Sequence, residues 1–299
     1  MKFSVIIPTY NRPDFLREAL ASVAAQTYSN YEVVVVNDHK PDEDIVNKVC
    51  SEFNNVKVIH HEVSMGGNAA RNTGIKQSDG ALIAFLDDDD LWLPTKLEEH
   101  FKAHQAGINV GLVYSDCILF SDESDKTSEA KRDLPADVLN AMRQGDFCPI
   151  TTTCVTVTKQ AIEESGLFDE QLISFQDWDM WFRIAHKYKF AHVAKSLIKF
   201  REHFGVRTSK SIDKRLKGLS QVVQKWKSKV DMSAFKSIFL RRTYYFYACD
   251  LIATNNRLKA VSYSFKLLNP VVLSIDSVKR FIKVLVGVMR PARASQQNL

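Results

Sequence analysis

Short runs of consecutive apolar residues alternate with stretches whose apolar positions recur every three or four residues. Residues 3–8 (FSVIIP), 31–37 (YEVVVVN), 56–60 (VKVIH) and 81–86 (ALIAFL) read as strands of the buried, β-branched type. Between the first two, Phe15, Leu16, Ala19, Leu20 and Val23 mark a helix over 13–26. Pro13 suits its first turn, where no amide hydrogen is needed. Ile45, Val46, Val49, Cys50 and Phe53 mark a second helix. The order βαβαβαβ predicts an α/β, Rossmann-like, mostly parallel sheet flanked by helices.

Further strands are expected at 112–120 and 150–158. The intervening 121–133 (SDESDKTSEAKRD) has no apolar periodicity and reads as a mobile loop or insertion. Beyond about residue 207 the pattern turns to long helices at 216–230, 235–253, 257–268 and 271–290. Residues 1–205 are therefore expected to form one domain and 206–299 a C-terminal helical appendage. A length of 299 residues suits that division.

A hydrophobic fraction of 45% and a charged fraction of 25% exclude disordered and low-complexity classes. The net charge of +5 is uneven: acidic residues gather before about Asp179, whereas Lys and Arg dominate from Lys187 onward. The second half thus suits an anionic ligand or surface. No aromatic platform is interleaved with the basic residues, so nucleic acid is not an expected partner. The five cysteines are scattered without Cys-x-x-Cys spacing, and no apolar leader opens the sequence. A cytoplasmic setting is expected.

Ligands of such sheets bind where parallel strands end. Thr9, Tyr10 and Asn11 follow the first strand, Asn37 and Asp38 the second, and Asp87, Asp88, Asp89 and Asp90 the fourth. Four adjacent carboxylates repel one another unless a cation sits among them. One reading is a solvated acidic turn; the other is a site for Mg²⁺ or Mn²⁺, ions that favour oxygen ligands. Leu91-Trp92-x-Pro94 would clamp the run to the core, which favours the metal.

Six segments together resemble family 2 glycosyltransferases of the GT-A fold. They are Ser4-Val5-Ile6-Ile7-Pro8-Thr9-Tyr10-Asn11-Arg12, Asn37-Asp38, Gly67-Asn68-x-x-Arg71-Asn72-x-Gly74, Phe85-Leu86-Asp87-Asp88-Asp89-Asp90-x-Trp92, Gly166-x-Phe168-Asp169-Glu170 and Gln176-Asp177-Trp178-Asp179-x-Trp181-x-Arg183. The resemblance covers about residues 1–205. It implies a GT-A-type sheet and inverting transfer from a nucleotide-sugar donor. Pro8, Thr9 and Asn11 would line the nucleoside pocket, Asp38 would bind the base, and Arg71 would face the nucleotide. Asp87 and Asp89 match Asp-x-Asp, with Asp87 toward the donor and Asp89 on the metal; Asp88 holds the variable position.

Asp177 matches the aspartate proposed as general base. Its alternative is helix capping, because Trp178, Trp181, Ile184 and Ala185 follow at helical spacing. Where the family commonly carries Glu-Asp, this chain carries Gln176-Asp177, leaving an amide that can bond an acceptor sugar but cannot act as a base. Gln176 and Trp178 are expected near the acceptor. Arg201-x-His203 and Val206-Arg207-x-Ser209 resemble a segment that closes over the diphosphate: Arg201 and Arg207 would pair with phosphate, and His203 would bind metal or phosphate. A surface-exposed basic loop is the alternative.

Near the C-terminus, Ile275, Val278, Phe281, Ile282, Leu285 and Val288 form an apolar stripe beside Lys279, Arg280, Lys283 and Arg290. The segment is too charged to span a bilayer. It would either lie peripherally on the inner face of the cytoplasmic membrane, near lipid-linked acceptors, or dock on its own catalytic domain. The reading reached is a metal-dependent glycosyltransferase using a nucleotide-sugar, with the UDP-sugar, a saccharide or lipid-linked acceptor and bacterial surface polysaccharide assembly implied by the resemblance. A nucleotidyltransferase would need a glycine-rich basic loop after the first strand, which Thr9-Tyr10-Asn11-Arg12-Pro13 is not. A catalytically silent carbohydrate-binding relative is the other alternative, and it does not account for Asp87, Asp89 and Asp177 all being present.

Overall fold

The computed structural model describes residues 1–202 and 211–289. Its first strands follow the apolar runs: β1 (Phe3–Thr9), β2 (Tyr31–Asn37), β3 (Val56–His60) and β4 (Leu82–Phe85). They are mutually parallel in the order β3-β2-β1-β4. Helices α1 (Pro13–Ala24), α2 (Glu43–Cys50) and α3 (Gly67–Lys76) make the crossovers. Side chains alternate across a strand, so Phe3, Val5 and Ile7 join Leu16, Ala19, Leu20, Val46 and Val49 in one apolar cluster. On the opposite side, Ile6 meets α3. A Cβ on Gly74 would stand 2.4 Å from Ile6 Cγ2, so the close approach of α3 to β1 requires glycine there.

The sheet continues through β5 (Leu91–Trp92), β6 (Val110–Ser121), β7 (Ser124–Ala130), β8 (Val155–Thr158) and β9 (Lys189–Arg201). Beyond β4 the order is β8-β6-β9-β5, and β7 pairs with β6. Strand β8 is antiparallel to both its neighbours, whereas β6 and β9 are parallel. The sheet is therefore mixed but mostly parallel in its first half. The stretch 121–133, expected as a loop, instead folds back as β7, with Ile118 opposite Glu129 and Leu119 opposite Ser128. Residues 125–129 are exposed, so this strand is held by backbone pairing rather than by an apolar face.

Helices α4 (Lys96–Gln105), α6 (Lys159–Glu164), α7 (Gln176–Ala185) and most of α5 (Val138–Gln144) complete the sheet-bearing unit. A second compact unit contains α8 (Ile212–Trp226), α9 (Ser233–Ala253), α10 (Arg257–Phe265) and α11 (Ile275–Met289), together with Arg143–Asp146 and Leu172–Phe175. Among the described residues, no helix is long and apolar enough to cross a membrane.

Helix α4 buries an unusual face. Lys96, His100 and His104 recur every four residues and are all buried. His100 Nδ1 and His104 Nε2 lie 3.0 and 2.9 Å from Thr156 Oγ1. Lys96 Nζ has no hydrogen-bond partner and sits 4.3 Å over the Trp92 ring. Burial pushes Lys96 from the ordinary 10.5 to about 7. Between those pH values the unfolded chain keeps a proton that the folded chain has lost, so folding gains as pH rises through that window. Below it the full cost of the buried ammonium remains. Lys96→Met is therefore expected to raise the thermal midpoint at pH 6.5 and to raise it less at pH 9.5. Circular-dichroism melts at the two pH values check this; a gain independent of pH would contradict it.

Candidate active site at the carboxyl edge of the sheet

The ends of β1, β2, β3 and β4 lie side by side, and Thr9, Tyr10 and Arg12, at and after the end of β1, reach the turn 87–90. Its four carboxylates have different surroundings. Asp90 is fully buried, accepting from Thr153 Oγ1 at 2.7 Å and from the Arg201 amide at 3.0 Å. Burial first, then the charges of Asp87 and Asp89, raise its pKa well above the ordinary value. Asp88 accepts from Thr9 Oγ1 at 2.8 Å and from the Tyr10 amide at 3.4 Å. Burial and the adjacent Asp89 charge bring it up to about 7, against the opposing pull of Arg12. Asp87 is more open, its side chain 29% exposed, whereas Asp89 is nearly as buried as Asp88.

Arginine side chains pair with carboxylates of this turn. Arg71 Nη2 pairs with Asp87 at 2.5 Å, while Arg12 Nη1 lies 2.8 Å from Asp89 and 3.4 Å from Asp88. Arg71 Nε is buried without a partner, so this guanidinium retains an unused donor. Thr153 also meets the Asp87 amide at 3.2 Å, fixing both ends of the turn. Neither Arg12 nor Thr153 was singled out from sequence. Arg12 stands inside the quoted motif beside Asn11, whereas the run Thr151-Thr152-Thr153 carries no chemical signal of its own.

Pro8 is half-buried at the end of β1, and Asn11 is exposed with φ of 54°, a left-handed conformation that asparagine tolerates. Asp38 follows β2 and turns to the next loop. Its oxygens accept from the Met65 and Gly66 amides and Ser64 Oγ at 2.8 Å, and His61 Nδ1 lies 2.7 Å away. Burial alone would raise Asp38, yet these four contacts hold it below its ordinary range. Four donors fill the acceptor positions of a carboxylate, so the residue orders the 61–66 loop, and a nucleobase reaching it must displace one of them.

The glycine- and asparagine-rich segment forms the first turns of α3. Asn72 donates to the Phe168 carbonyl and to Glu170, and accepts from the Phe168 amide. Asn68 donates to the Asp169 carbonyl. Two motifs distant in sequence thus hold each other, and Arg71 passes 5.9 Å from the Phe168 ring centroid.

Gln176 and Asp177 open α7 and are partly exposed. Asp177 Oδ1 accepts from the Trp178 amide at 2.8 Å, and Gln176 Oε1 is buried without a partner. Cys148 lies near Asp177: burial, with that carboxylate adding to it, pushes the thiol well above its usual range. Trp178 faces inward. It is 1% exposed, stacks on Phe182 at 4.6 Å and donates Nε1 to the Met142 carbonyl, because its helical spacing turns it into the core.

Arg201 is buried beside the acidic turn. It is 3% exposed, donates Nε to the Asp89 carbonyl at 2.9 Å, pairs with Asp122 and Glu18, and lies over the Phe15 and Phe120 rings. Its guanidinium braces the acidic turn from beneath. His203 and Arg207 lie outside the described residues.

The donor set fits a hard divalent cation. Asp87 and Asp89 offer carboxylate oxygens, and burial holds down the charge of Asp88 and Asp90, a cost that an added cation relieves. Among the described residues, no three His, Cys, Asp or Glu side chains converge as a ready metal cage.

Comparison with known proteins places this geometry. The model of glycosyl transferase family 2 matches residues 4–165. An uncharacterized glycosyltransferase of Rickettsia conorii is 31% identical over 229 residues, covering 74% of this chain and 36% of that protein. One from Methanocaldococcus jannaschii is 30% identical over 203 residues, covering 66% of this chain and 70% of that protein. The match spans about a third of the length of the Rickettsia relative. Among solved structures, S. aureus TarS 1–349 in complex with UDP-GlcNAc aligns with a TM-score of 0.57 at 19% identity, covering 96% of this chain and 80% of that one. The mannosyltransferase PcManGT from Pyrobaculum calidifontis, in complex with GDP-Man and Mn²⁺, aligns with a TM-score of 0.58 at 19% identity, covering 95% and 86%. At these identities the structural likeness is one of fold, GT-A-like.

Proposed function

The chain belongs to glycosyl transferase family 2, and from that premise we propose that it moves a sugar from a nucleotide-sugar donor, UDP-linked, to an acceptor hydroxyl with inversion. The observation that carries the reading is the unequal treatment of the turn 87–90: Asp88 and Asp90 are tied to Thr9 and Thr153, while Asp87 and Asp89 pair with Arg71 and Arg12 at the end of a parallel strand. In this reading Asp89 and Asp87 hold a divalent cation and the donor, and Arg71 meets the diphosphate. Pro8, Thr9 and Asn11 border the nucleoside, with Asp38 shaping the loop beside it. A bound Mn²⁺ or Mg²⁺ would neutralise charge on the diphosphate leaving group.

Asp177 takes the proton from the acceptor hydroxyl as that oxygen attacks the anomeric carbon opposite the leaving diphosphate. Gln176 contributes a hydrogen-bonding amide to the acceptor. His203 and Arg207 remain assigned by resemblance to the metal and the phosphate. The acceptor is a saccharide or lipid-linked saccharide, and the setting is surface polysaccharide assembly.

Calorimetric titration of UDP, GDP and CMP with and without Mn²⁺ tests the donor site. Mn²⁺ is expected to tighten UDP binding roughly tenfold or more, and Asp89→Ala is expected to remove that gain. GDP binding in preference to UDP would keep the site and replace the base. Absence of nucleotide binding under every condition would overturn the reading, because the structural neighbours include complexes with both UDP-GlcNAc and GDP-Man.

A further inference from the structure

Helix α11 carries an apolar arc wider than its own unit covers. Ser277 and Val284 are buried, Phe281 meets Phe265 at 5.3 Å between ring centroids, and the helix packs on α9 and α10. The neighbouring face is open. Ile275, Val278, Ile282, Val286 and Met289 recur at steps of three and four, with Ile275 79%, Ile282 54% and Met289 74% exposed. Val271 and Leu273, just before the helix, are each 54% exposed. An isolated exposed apolar residue needs no explanation; a continuous helical stripe does.

The charge beside the stripe identifies its occupant. Lys279 and Lys283 follow its edge, both exposed, and exposed Lys259 and Lys266 belong to the preceding segment. Residues 257–289 contain six basic residues and one acidic residue. That acid, Asp276, is already paired with Arg241 and Arg280. A second copy of this chain would bring the same positive charges against these, which opposes self-association through this face. An anionic bilayer offers apolar depth for the stripe and headgroup charge for the lysines.

We propose that the outward face of α11 is a docking surface for an anionic lipid bilayer, with Ile275, Ile282, Val286 and Met289 entering the interface and Lys279 and Lys283 meeting headgroups. This places the protein against a lipid surface without crossing it. The proposal stands apart from the donor-site reading, since no residue of the carboxyl-edge site takes part.

The test is co-sedimentation of the full chain with phosphatidylcholine vesicles and with vesicles that also contain phosphatidylglycerol. Binding is expected only to the mixed vesicles, and high salt should weaken it. Ile282→Asp with Val286→Asp should reduce partition roughly tenfold or more, as should Lys279→Glu with Lys283→Glu. Both pairs are exposed, so thermal melts matching wild type are expected and show that the fold is intact. Failure of wild type to bind mixed vesicles would overturn the proposal. So would unchanged binding by either pair, or a concentration-dependent dimer on gel filtration that the Ile282→Asp pair abolishes.

Discussion

Asp177→Asn is expected to lower turnover of sugar transfer roughly a hundred- to ten-thousandfold, the range for removal of a positioned general base, while nucleotide affinity changes by no more than a few fold. The substitution separates the two roles that this position admits. Asparagine keeps an oxygen for the Trp178 amide, 2.8 Å away, and caps a helix about as well as aspartate. A residue that only stabilised the start of α7 would therefore tolerate it. An amide has no accessible basic site to accept the hydroxyl proton, so a general base would not. Initial rates of nucleotide release with acceptor present, set beside a melting curve and a nucleotide titration, give the discriminating readings. Equal turnover by variant and wild type would remove Asp177 from the chemistry.

The centre of the parallel half of the sheet was legible because strands buried on both faces consist of continuous apolar runs, and β1 and β2 begin where those runs begin. Strand β9 was not. Its burial varies irregularly along Lys189–Arg201, and its register against β6 shifts around Ser115, Asp116 and Cys117. Each irregularity breaks the two-residue period by which a strand is recognised in sequence. Strand β7 had no apolar face to read. Helix α3 was concealed differently, for its buried positions include Arg71, Asn72 and Gly74, residues chosen for close approach and hydrogen bonding rather than for hydrophobicity. The start of α8 moves from the expected Leu216 to Ile212, where Ser211 accepts from the Lys214 amide as a cap.

At the site, sequence disclosed which residue types gather and much less about which partners they take. The link between Thr9 and Asp88 joins positions 79 apart in sequence, and the pairing of Arg71 with Asp87 joins two separate motifs. Residue order alone shows neither. Asp38 illustrates the limit: its position after β2 was evident, but its saturation by Met65, Gly66, Ser64 and His61 depends on how the following loop turns back. Trp178 shows the same limit, since a motif tryptophan on α7 can face a ligand or the core, and the helix phase decides it.

Arg201→Ala is expected to destabilise the protein by about 3 kcal/mol, lowering the melting midpoint by roughly 6–12 °C for a domain of this size. A surface phosphate contact would lose almost nothing in the ligand-free state, so the melt distinguishes the two roles. The guanidinium spans Asp122, Glu18 and the Asp89 carbonyl between two aromatic rings. Its removal leaves that carbonyl without its donor and opens a gap under the turn. The Asp122 and Glu18 side chains are about half exposed and regain water, which keeps the cost below that of a fully buried ion pair. The Arg201 amide still holds Asp90, so the turn should loosen rather than unfold. Metal-dependent nucleotide binding should then weaken through displacement of Asp89. Arg201→Lys should recover part of the stability, because an ammonium satisfies one acid but not the three separated acceptors. An unaltered melt for Arg201→Ala, combined with weakened nucleotide binding, would return Arg201 to the phosphate.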